Sequence, residues 1–275
     1  MINLCMYKTI LLDLWGVVHD GTQLYPGVLQ TLYKLKSLNK DIIFISNVPK
    51  RKKKIQYMLN SFCIDSSLYK EIVTSGELAI NILMKKKVYG TNYFCIGCND
   101  LEEIVISSDN YKKVNNMADA EFAIVTRLTN DATQEIECIK KLIKYNIPML
   151  CINPDKVSID NNGITTCCPG VIAEKYQQLG GKVIYFGKPY KAIYEYCLQY
   201  IVNKKKILAI GDSMTNDIKG AIDMNIDCAL ICGGIHRHEL NIRIGEFPKR
   251  YNLLKLYKKY MLRPTFVLGI FSDII

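Results

Sequence analysis

Two aspartates in this chain each follow a short apolar run. Asp13 comes directly after Thr9-Ile10-Leu11-Leu12, and Asp212 follows the run Ile207–Ile210 after one glycine. Apolar runs of this length are typical of buried parallel strands. Because the carboxyl ends of parallel strands line the ligand crevice of an open sheet, we expect the two carboxylates to meet there. Carboxylate oxygens are preferred ligands of hard divalent cations, so the pair predicts a metal site.

Other polar residues also stand at the ends of predicted strands. Ser46 and Asn47 end the apolar run that begins at residue 41, and Lys188 lies in a Gly-Lys-Pro segment at a predicted strand-to-helix junction. Phosphoryl transfer needs a nucleophile, a divalent cation, and positive or hydrogen-bonding groups around the phosphoryl oxygens. Asp13 suits the nucleophile, and the other three suit the phosphoryl oxygens. The set therefore favours a metal-assisted phosphoryl site.

Each of these residues also has a purely structural interpretation. Asp13 could cap a turn, Ser46 could be an ordinary strand-to-turn serine, and Lys188 could be a surface lysine. Asp217 could place a negative charge at a helix N-terminus. The order of the segments along the chain favours the functional interpretation.

Short apolar runs alternate with helix-length amphipathic segments along the chain. The predicted strands are 10–15, 41–46, 93–96, 122–126, 148–152, 183–186, 206–210 and 228–232, and the predicted helices are 26–38, 49–62, 131–144, 171–179, 190–200 and 217–224. This alternation predicts an α/β fold with a doubly wound, Rossmann-like parallel sheet. We assign residues 1–76 and 182–275 to a core and residues 77–181 to an inserted α/β domain.

The ordered segments resemble the four signature motifs of the haloacid dehalogenase superfamily. They are Asp-Leu-Trp-Gly-Val at 13–17, Phe-Ile-Ser-Asn at 44–47, Gly-Lys-Pro at 187–189 and Gly-Asp-Ser-Met-Thr-Asn-Asp at 211–217. Val-Thr-Ser-Gly at 73–76, Ile-Asn-Pro-Asp at 152–155 and Pro-Gly at 169–170 resemble the NagD-like and phosphoglycolate/pyridoxal phosphate phosphatases, whose cap is inserted between motifs two and three. The resemblance spans roughly residues 8 to 235 and rests on the motifs in sequence, since one motif alone would be weak.

The resemblance implies a Mg²⁺-dependent hydrolase of small phosphate monoesters that forms an aspartyl-phosphate on Asp13. The groups implied to hold Mg²⁺ are Asp13, the backbone carbonyl of Trp15, Asp212 and Asp217. The residues implied to bind the substrate are Ser46, Asn47, Asn153, Asp155 and Lys188, and those implied to be catalytic are Asp13, Ser46 and Lys188. Asn153 and Asp155 lie in the implied cap, which would close over the crevice and select the substrate.

Trp15 departs from the phosphatase pattern, which has a second aspartate at this position. That aspartate protonates the leaving alkoxide and later activates water, and indole can do neither. Three consequences compete: a slow phosphatase suited to good leaving groups, an enzyme whose acid is His19 or Asp20, or a protein that binds phosphate esters without turnover. Dehalogenases of the superfamily also carry an aromatic residue here but dispense with the metal, so Asp212 and Asp217 argue against dehalogenation.

Composition limits the remaining function classes. The chain has 275 residues, is 49% hydrophobic and carries a net charge of +10, mostly in lysine runs at 50–54, 85–87 and 204–206. These runs lack the interleaved aromatic residues of a single-strand platform, so we predict no nucleic-acid partner. Apolar segments fall well short of the ~18 residues of a membrane span, so we predict no membrane partner. Eleven cysteines in a chain of this length favour reduced thiols and a cytoplasmic protein.

The expected partner is thus a small phosphorylated metabolite. A non-catalytic phosphate-ester-binding protein is the main rival, favoured by Trp15, and a basic nucleic-acid-binding protein is favoured only by charge. The apolar tail 266–275 predicts either a packed terminal strand or one half of a homodimer contact.

Overall fold

Several of the apolar runs pair side by side in one parallel sheet. Within residues 2–85, 89–97, 111–128, 132–159, 165–204 and 206–275, which the computed structural model describes, this sheet has six strands. In order across the sheet they are β13 (Phe266–Leu268), β12 (Asp227–Ile231), β11 (Ile207–Gly211), β1 (Thr9–Leu12), β2 (Asp41–Ser46) and β3 (Glu71–Thr74). All neighbouring strands run parallel. The prediction of a doubly wound α/β fold is confirmed.

Helices cover both faces of this sheet because its strands are apolar on both faces. Along β1, Leu11 packs into one buried cluster while Ile10 and Leu12 pack into the other. One face is covered by α1 (Val28–Ser37) and α2 (Lys52–Ser61), and the other by α3 (Ser75–Lys85), α6 (Lys191–Leu198), α7 (Lys219–Asp223) and α9 (Arg250–Tyr260). A short helix, α8 (Arg237–Leu240), precedes α9.

A second parallel sheet lies between α3 and α6 in the chain. Its order is β10 (Val183–Tyr185), β7 (Met149–Cys151), β6 (Phe122–Val125), β4 (Asn92–Ile96) and β5 (Lys112–Lys113). Helices α4 (Ala132–Lys144) and α5 (Gly170–Gln178) pack on one face around Leu142 and Tyr176. The other face shares a continuous apolar cluster with the first sheet, through residues such as Phe122 and Leu150. An antiparallel hairpin, β8 (Val157–Ile159) and β9 (Thr165–Cys167), follows β7.

One strand joins a different sheet from the one expected. The strand at 183–186 was expected in the core. Val183 instead pairs with Met149, and the strand forms one edge of the second sheet. Strand–helix alternation does not specify which of two sheets a strand joins, because both have the same pattern. The division of the chain into a core (residues 1–76 and 182–275) and an inserted domain (residues 77–181) stays a prediction.

The chain segment after β11 also differs from the expected helix 217–224. It forms a wide π-helical turn at Met214–Ile218, and α7 begins only at Lys219. π-Helical turns are rare and often occur at functional sites. Asp217 thus stands in an irregular turn rather than at a regular helix start.

The apolar tail packs within its own chain. Strand β13 pairs with β12, and Phe271 and Ile274 in the following 3₁₀ turn are buried against α1 and its neighbours. The expectation of a packed terminal strand is confirmed.

The cysteines of the described residues are mostly free thiols. Cys151, Cys197, Cys228 and Cys232 are buried free thiols, whereas Cys95 is disulfide-bonded and so departs from the expectation of reduced thiols. Throughout the described ranges, every helix is too short or too polar to cross a bilayer.

Candidate active site

Three buried carboxylates converge at the carboxyl edge of the first sheet. Strands β1 and β11 are adjacent and in register, with Leu12 opposite Ile210, so Asp13 and Asp212 leave the sheet side by side. Asp217 returns from the π-helical turn. One carboxylate oxygen of each aspartate lies within 4.8 Å of the other two.

Lys188 connects two of these carboxylates. Its Nζ donates to Asp13 Oδ1 at 2.5 Å and to Asp217 Oδ1 at 2.6 Å, and the side chain is 4% exposed. Burial lowers the pKa of this lysine, but the two carboxylates outweigh it and hold the pKa above its ordinary value. Lys188 is therefore an ammonium group fixed beside Asp13.

The cluster carries more negative than positive charge. Burial, and then the neighbouring Asp217, raises the pKa of Asp13 to about 7. Burial, and then Asp13, raises the pKa of Asp212 well above its ordinary range. When all three carboxyl groups are ionised, the single ammonium group leaves an excess negative charge that a divalent cation would neutralise, and carboxylate oxygens are the donors that Mg²⁺ prefers. The residues present therefore fit such a cation.

Backbone groups hold the carboxylates in place. The Ile235 N–H donates to Asp212 Oδ2 at 2.7 Å, and the Ser213 N–H donates to Asp217 Oδ2 at 3.0 Å. A Cβ atom at Gly16, where φ is +84°, would lie 1.9 Å from Asp212 Oδ2. The loop after β1 must therefore have glycine here for Asp212 to approach.

Asn47 and Asp155 form a hydrogen-bond network beneath Lys188. Asn47 Oδ1 accepts from the Lys188 N–H at 2.6 Å, and Asn47 Nδ2 donates to the Lys188 carbonyl at 3.0 Å. Asp155 Oδ1 accepts from Asn47 Nδ2 at 2.8 Å and from Asn216 Nδ2 at 2.7 Å. Burial raises the pKa of Asp155. Asn47 thus positions the lysine, and Asp155 positions Asn47.

All of the predicted site residues line one cavity of about 400 Å³. Ser46 stands at its base with Oγ accepting from the Val48 N–H at 3.3 Å. Asn153 lines the cavity as well, and its Oδ1 accepts from the Asp155 N–H at 3.1 Å. The structure places the predicted residues together, while their catalytic roles stay predictions.

The two candidates for a replacement acid both belong to the turn after β1. His19 is buried and lines the cavity, its Nδ1 accepts from the Gly21 N–H at 2.9 Å, and its Nε2 has no hydrogen-bond partner among the described residues. Burial lowers the pKa of His19 to about 4. Asp20 Oδ1 accepts from the backbone and hydroxyl of Thr22 and from the Gln23 N–H. His19 is therefore neutral near pH 7, and Asp20 holds a turn.

Three further residues around the site were not predicted from the sequence. Asn216 lies within the fourth segment and was not singled out, although it holds Asp155. His236 is buried and its Nε2 accepts from the Met214 N–H at 3.1 Å, which links it to the π-helical turn. Arg237 is buried and lines the cavity. The Gly-Gly-Ile-His-Arg segment at 233–237 after β12 was the available signal.

Comparisons with known proteins agree with this geometry. Residues 10–109 match the family described as haloacid dehalogenase-like hydrolase, and residues 185–252 match a second description of HAD-like hydrolases. The 5'-nucleotidase YutF of Bacillus subtilis is 22% identical over 85% of this chain and 90% of its own length. The dihydroxyacetone phosphatase of Corynebacterium glutamicum is 22% identical over 96% of this chain and 89% of its own. A haloacid dehalogenase-like hydrolase from Brucella suis superposes with a TM-score of 0.79 at 26% identity, covering 98% of this chain and 97% of its own.

Proposed function

Because this chain belongs to the haloacid dehalogenase-like hydrolases, we propose that it is a Mg²⁺-dependent phosphatase of small phosphate monoesters. The observation that carries the proposal is the convergence of Asp13, Asp212 and Asp217 within 4.8 Å, with Lys188 bonded to two of them. Two relatives named as phosphohydrolases, the nucleotidase and the dihydroxyacetone phosphatase, support the same reaction class.

Asp13 is the proposed nucleophile. One of its oxygens attacks the phosphorus, the bond from phosphorus to the ester oxygen breaks, and the electron pair leaves with that oxygen, which takes a proton from solvent water. Water then attacks the phosphorus of the aspartyl-phosphate and the bond from phosphorus to the Asp13 oxygen breaks. The protons of the attacking water pass to the released inorganic phosphate and the solvent, and Asp13 returns to a carboxylate. Lys188 stabilises the charge of the transferring group throughout, since its ammonium is fixed beside Asp13.

Asp13, Asp212 and the backbone carbonyl of Trp15 would hold the cation. Both oxygens of Asp217 already accept hydrogen bonds, from Lys188 and from Ser213, so its proposed part is to orient the lysine and add negative charge. Bound Mg²⁺ would neutralise the phosphoryl oxygens. The Ser46 hydroxyl and the backbone N–H of Asn47 would complete the shell of donors around them, since the Asn47 side chain is already bonded to Asp155 and Lys188.

Residues 77–181 are proposed to act as a cap that excludes water and selects the substrate. Asn153 and Asp155 lie in the loop after β7 and reach the cavity beside Asn47. Specificity would then come from this loop and hairpin, while the chemistry stays on the first sheet.

A second candidate function is phosphate-ester binding with little or no turnover. It is favoured by Trp15, which supplies no proton, and by His19 and Asp20, which are engaged in their own turn. A metabolite-binding protein would use the same donors but would leave the ester intact.

A phosphate-release screen separates the two candidates. Small phosphate esters are incubated with the protein in Mg²⁺ and in chelator, and the same esters are tested for thermal protection of the protein. A phosphatase releases phosphate only with Mg²⁺, whereas a binder is protected by the esters but releases none. Full turnover in excess chelator would contradict the proposed site.

A further inference from the structure

Trp15 lines the cavity that holds Asp13 and Lys188. It lies two residues after the proposed nucleophile, and it is 41% exposed although most of its neighbours in the chain are buried. Its ring lies beside Gly21, which lines the same cavity. A large, partly exposed aromatic residue therefore stands at the wall of the space that a substrate would enter.

The indole ring packs within its own turn. The ring centroids of Trp15 and His19 lie 5.7 Å apart at an interplanar angle of 77°, an edge-to-face contact, and the ring centroids of His19 and Phe62 lie 5.6 Å apart. A Cβ atom at Gly21, where φ is +100°, would lie 2.5 Å from Trp15 Cη2. The glycine therefore leaves room for the indole, and the His19 ring packs against it.

Apolar side chains line the same cavity as the carboxylates. Ile55 and Met58 come from α2, and Val157 comes from strand β8. The cavity thus combines charged groups, such as Asp13 and Lys188, with an apolar set that includes Trp15. Ligand sites of this kind bind molecules with one anionic group and one apolar body.

We propose that Trp15 is a stacking platform for a planar aromatic leaving group, so that the substrates are aryl phosphate monoesters. This inference rests on the proposed phosphatase function and names its substrate class. An aryl oxide leaves with the bonding electron pair and takes its proton from water afterwards, so the missing acid at position 15 slows formation of the aspartyl-phosphate from such a substrate little. The later attack of water is the same for every ester and does not distinguish the substrates. The same residue that removes the acid supplies a π face for the ring.

A matched pair of non-hydrolysable ligands tests the platform separately from turnover. Phenylphosphonate and methylphosphonate share the anionic head and differ in the ring alone. Binding of each in Mg²⁺ is measured by calorimetry on the wild type, Trp15→Phe and Trp15→Leu. Trp15 is the single tryptophan of the chain, so quenching of its emission reports whether the ring lies against it.

We expect the wild type to bind phenylphosphonate about tenfold more tightly than methylphosphonate, with quenching by the phenyl ligand alone, since stacking on an aromatic side chain is worth roughly a tenfold change or more. Trp15→Phe should keep most of this preference and Trp15→Leu should lose it. Equal affinities in the wild type, or a preference unchanged in Trp15→Leu, would overturn the platform.

The two proposals fail in different ways. If acetyl phosphate, which has no ring, is hydrolysed but the phenyl preference is missing, then the phosphatase stands and the platform is wrong. If the phenyl preference and quenching are present but no ester or acyl phosphate releases phosphate, then the platform stands and the hydrolysis is wrong.

Discussion

Asp13 combines a proposed chemical role with an electrostatic cost. Replacing it with asparagine keeps the shape of the side chain but removes both the proposed nucleophile and a buried carboxyl group. We expect Asp13→Asn to release no phosphate and, in chelator at pH 8, to unfold a few degrees above the wild type, because about 1 kcal/mol corresponds to roughly 2–4 °C in a chain of this size. Phosphate release and thermal unfolding measure the two effects. Asp119→Asn, which changes an exposed aspartate, should leave both near wild type; retained turnover in Asp13→Asn would disprove the nucleophile.

The same burial predicts a pH dependence of stability without the cation. The pKa of Asp13 rises from 3.8 to about 7 on folding, so the folded protein binds the extra proton and its stabilisation is complete below pH ~4. It is lost as the pH rises through about 7, at no more than about 1.4 kcal/mol per pH unit for one group. Denaturant unfolding in chelator between pH 5 and pH 8 should therefore show falling stability, with a shallower slope in Asp13→Asn. Mg²⁺ should flatten the slope by favouring the carboxylates, and identical slopes with and without it would count against the metal site.

Trp15 has no acidic proton for a leaving group, and this lack can be tested by substitution. Trp15→Asp restores a carboxyl group that can protonate a leaving alkoxide, and general acids contribute typically ~10²–10⁴ in rate. We expect the alkyl-to-aryl ratio of kcat/KM to rise by at least about tenfold, since an aryl oxide needs no proton. Trp15→Asn is the matched control, because asparagine has the same size as aspartate but cannot protonate a leaving alkoxide. Equal gains in both variants would mean that cavity space, rather than acid catalysis, limits the wild type.

At the scale of elements, periodicity predicted the strands better than their partners. The run 41–46 is observed as β2 with the same bounds, because six consecutive residues between polar neighbours admit one interpretation. Strand β3 at Glu71–Thr74 was not predicted, because four residues are too few to show a hydrophobic pattern. Strand β10 was predicted in the wrong sheet, because tertiary contacts decide which strands pair. The π-helical turn depends on His236, which lies far along the chain.

One carboxylate oxygen in the loop after β7, Asp155 Oδ1, accepts hydrogen bonds from two residues that follow strands of the first sheet, Asn47 and Asn216. Asp155→Ala should remove the acceptor that Asn47 Nδ2 and Asn216 Nδ2 share, while Asn47 Nδ2 keeps its bond to the Lys188 carbonyl. We expect a cost of about 1–3 kcal/mol and a lower kcat, because Asn47 orients Lys188. Asp155→Asn keeps an oxygen at the same place and should retain most of the stability. Chemical denaturation and steady-state kinetics measure both, with the exposed Asp119→Ala as the control. Wild-type behaviour of Asp155→Ala would remove the network from the site.

For the whole molecule, the sequence identified the acids and the lysine but not the network that holds them. Asp13, Lys188 and Asp212 stand at strand ends and could be found from local pattern. The bonds of Asp155 join residues 108 and 61 positions away along the chain, and local pattern carries no information on such contacts. Trp15 was recognised as a departure, yet its exposure and its support by His19 required the fold.

The order of strands in the first sheet also has a consequence during translation. β1 lies between β2 and β11, so a nascent chain can pair one edge of β1 early while the other edge waits until residues 207–211 leave the ribosome. At ~5–20 residues per second this interval is roughly 10–40 s, and throughout it an apolar strand edge is open to other chains. Nascent chains halted before residue 207 should therefore be digested by protease faster than those halted after residue 231. The strand that precedes the proposed nucleophile is thus protected at its second edge only after residues 207–211 have been synthesised.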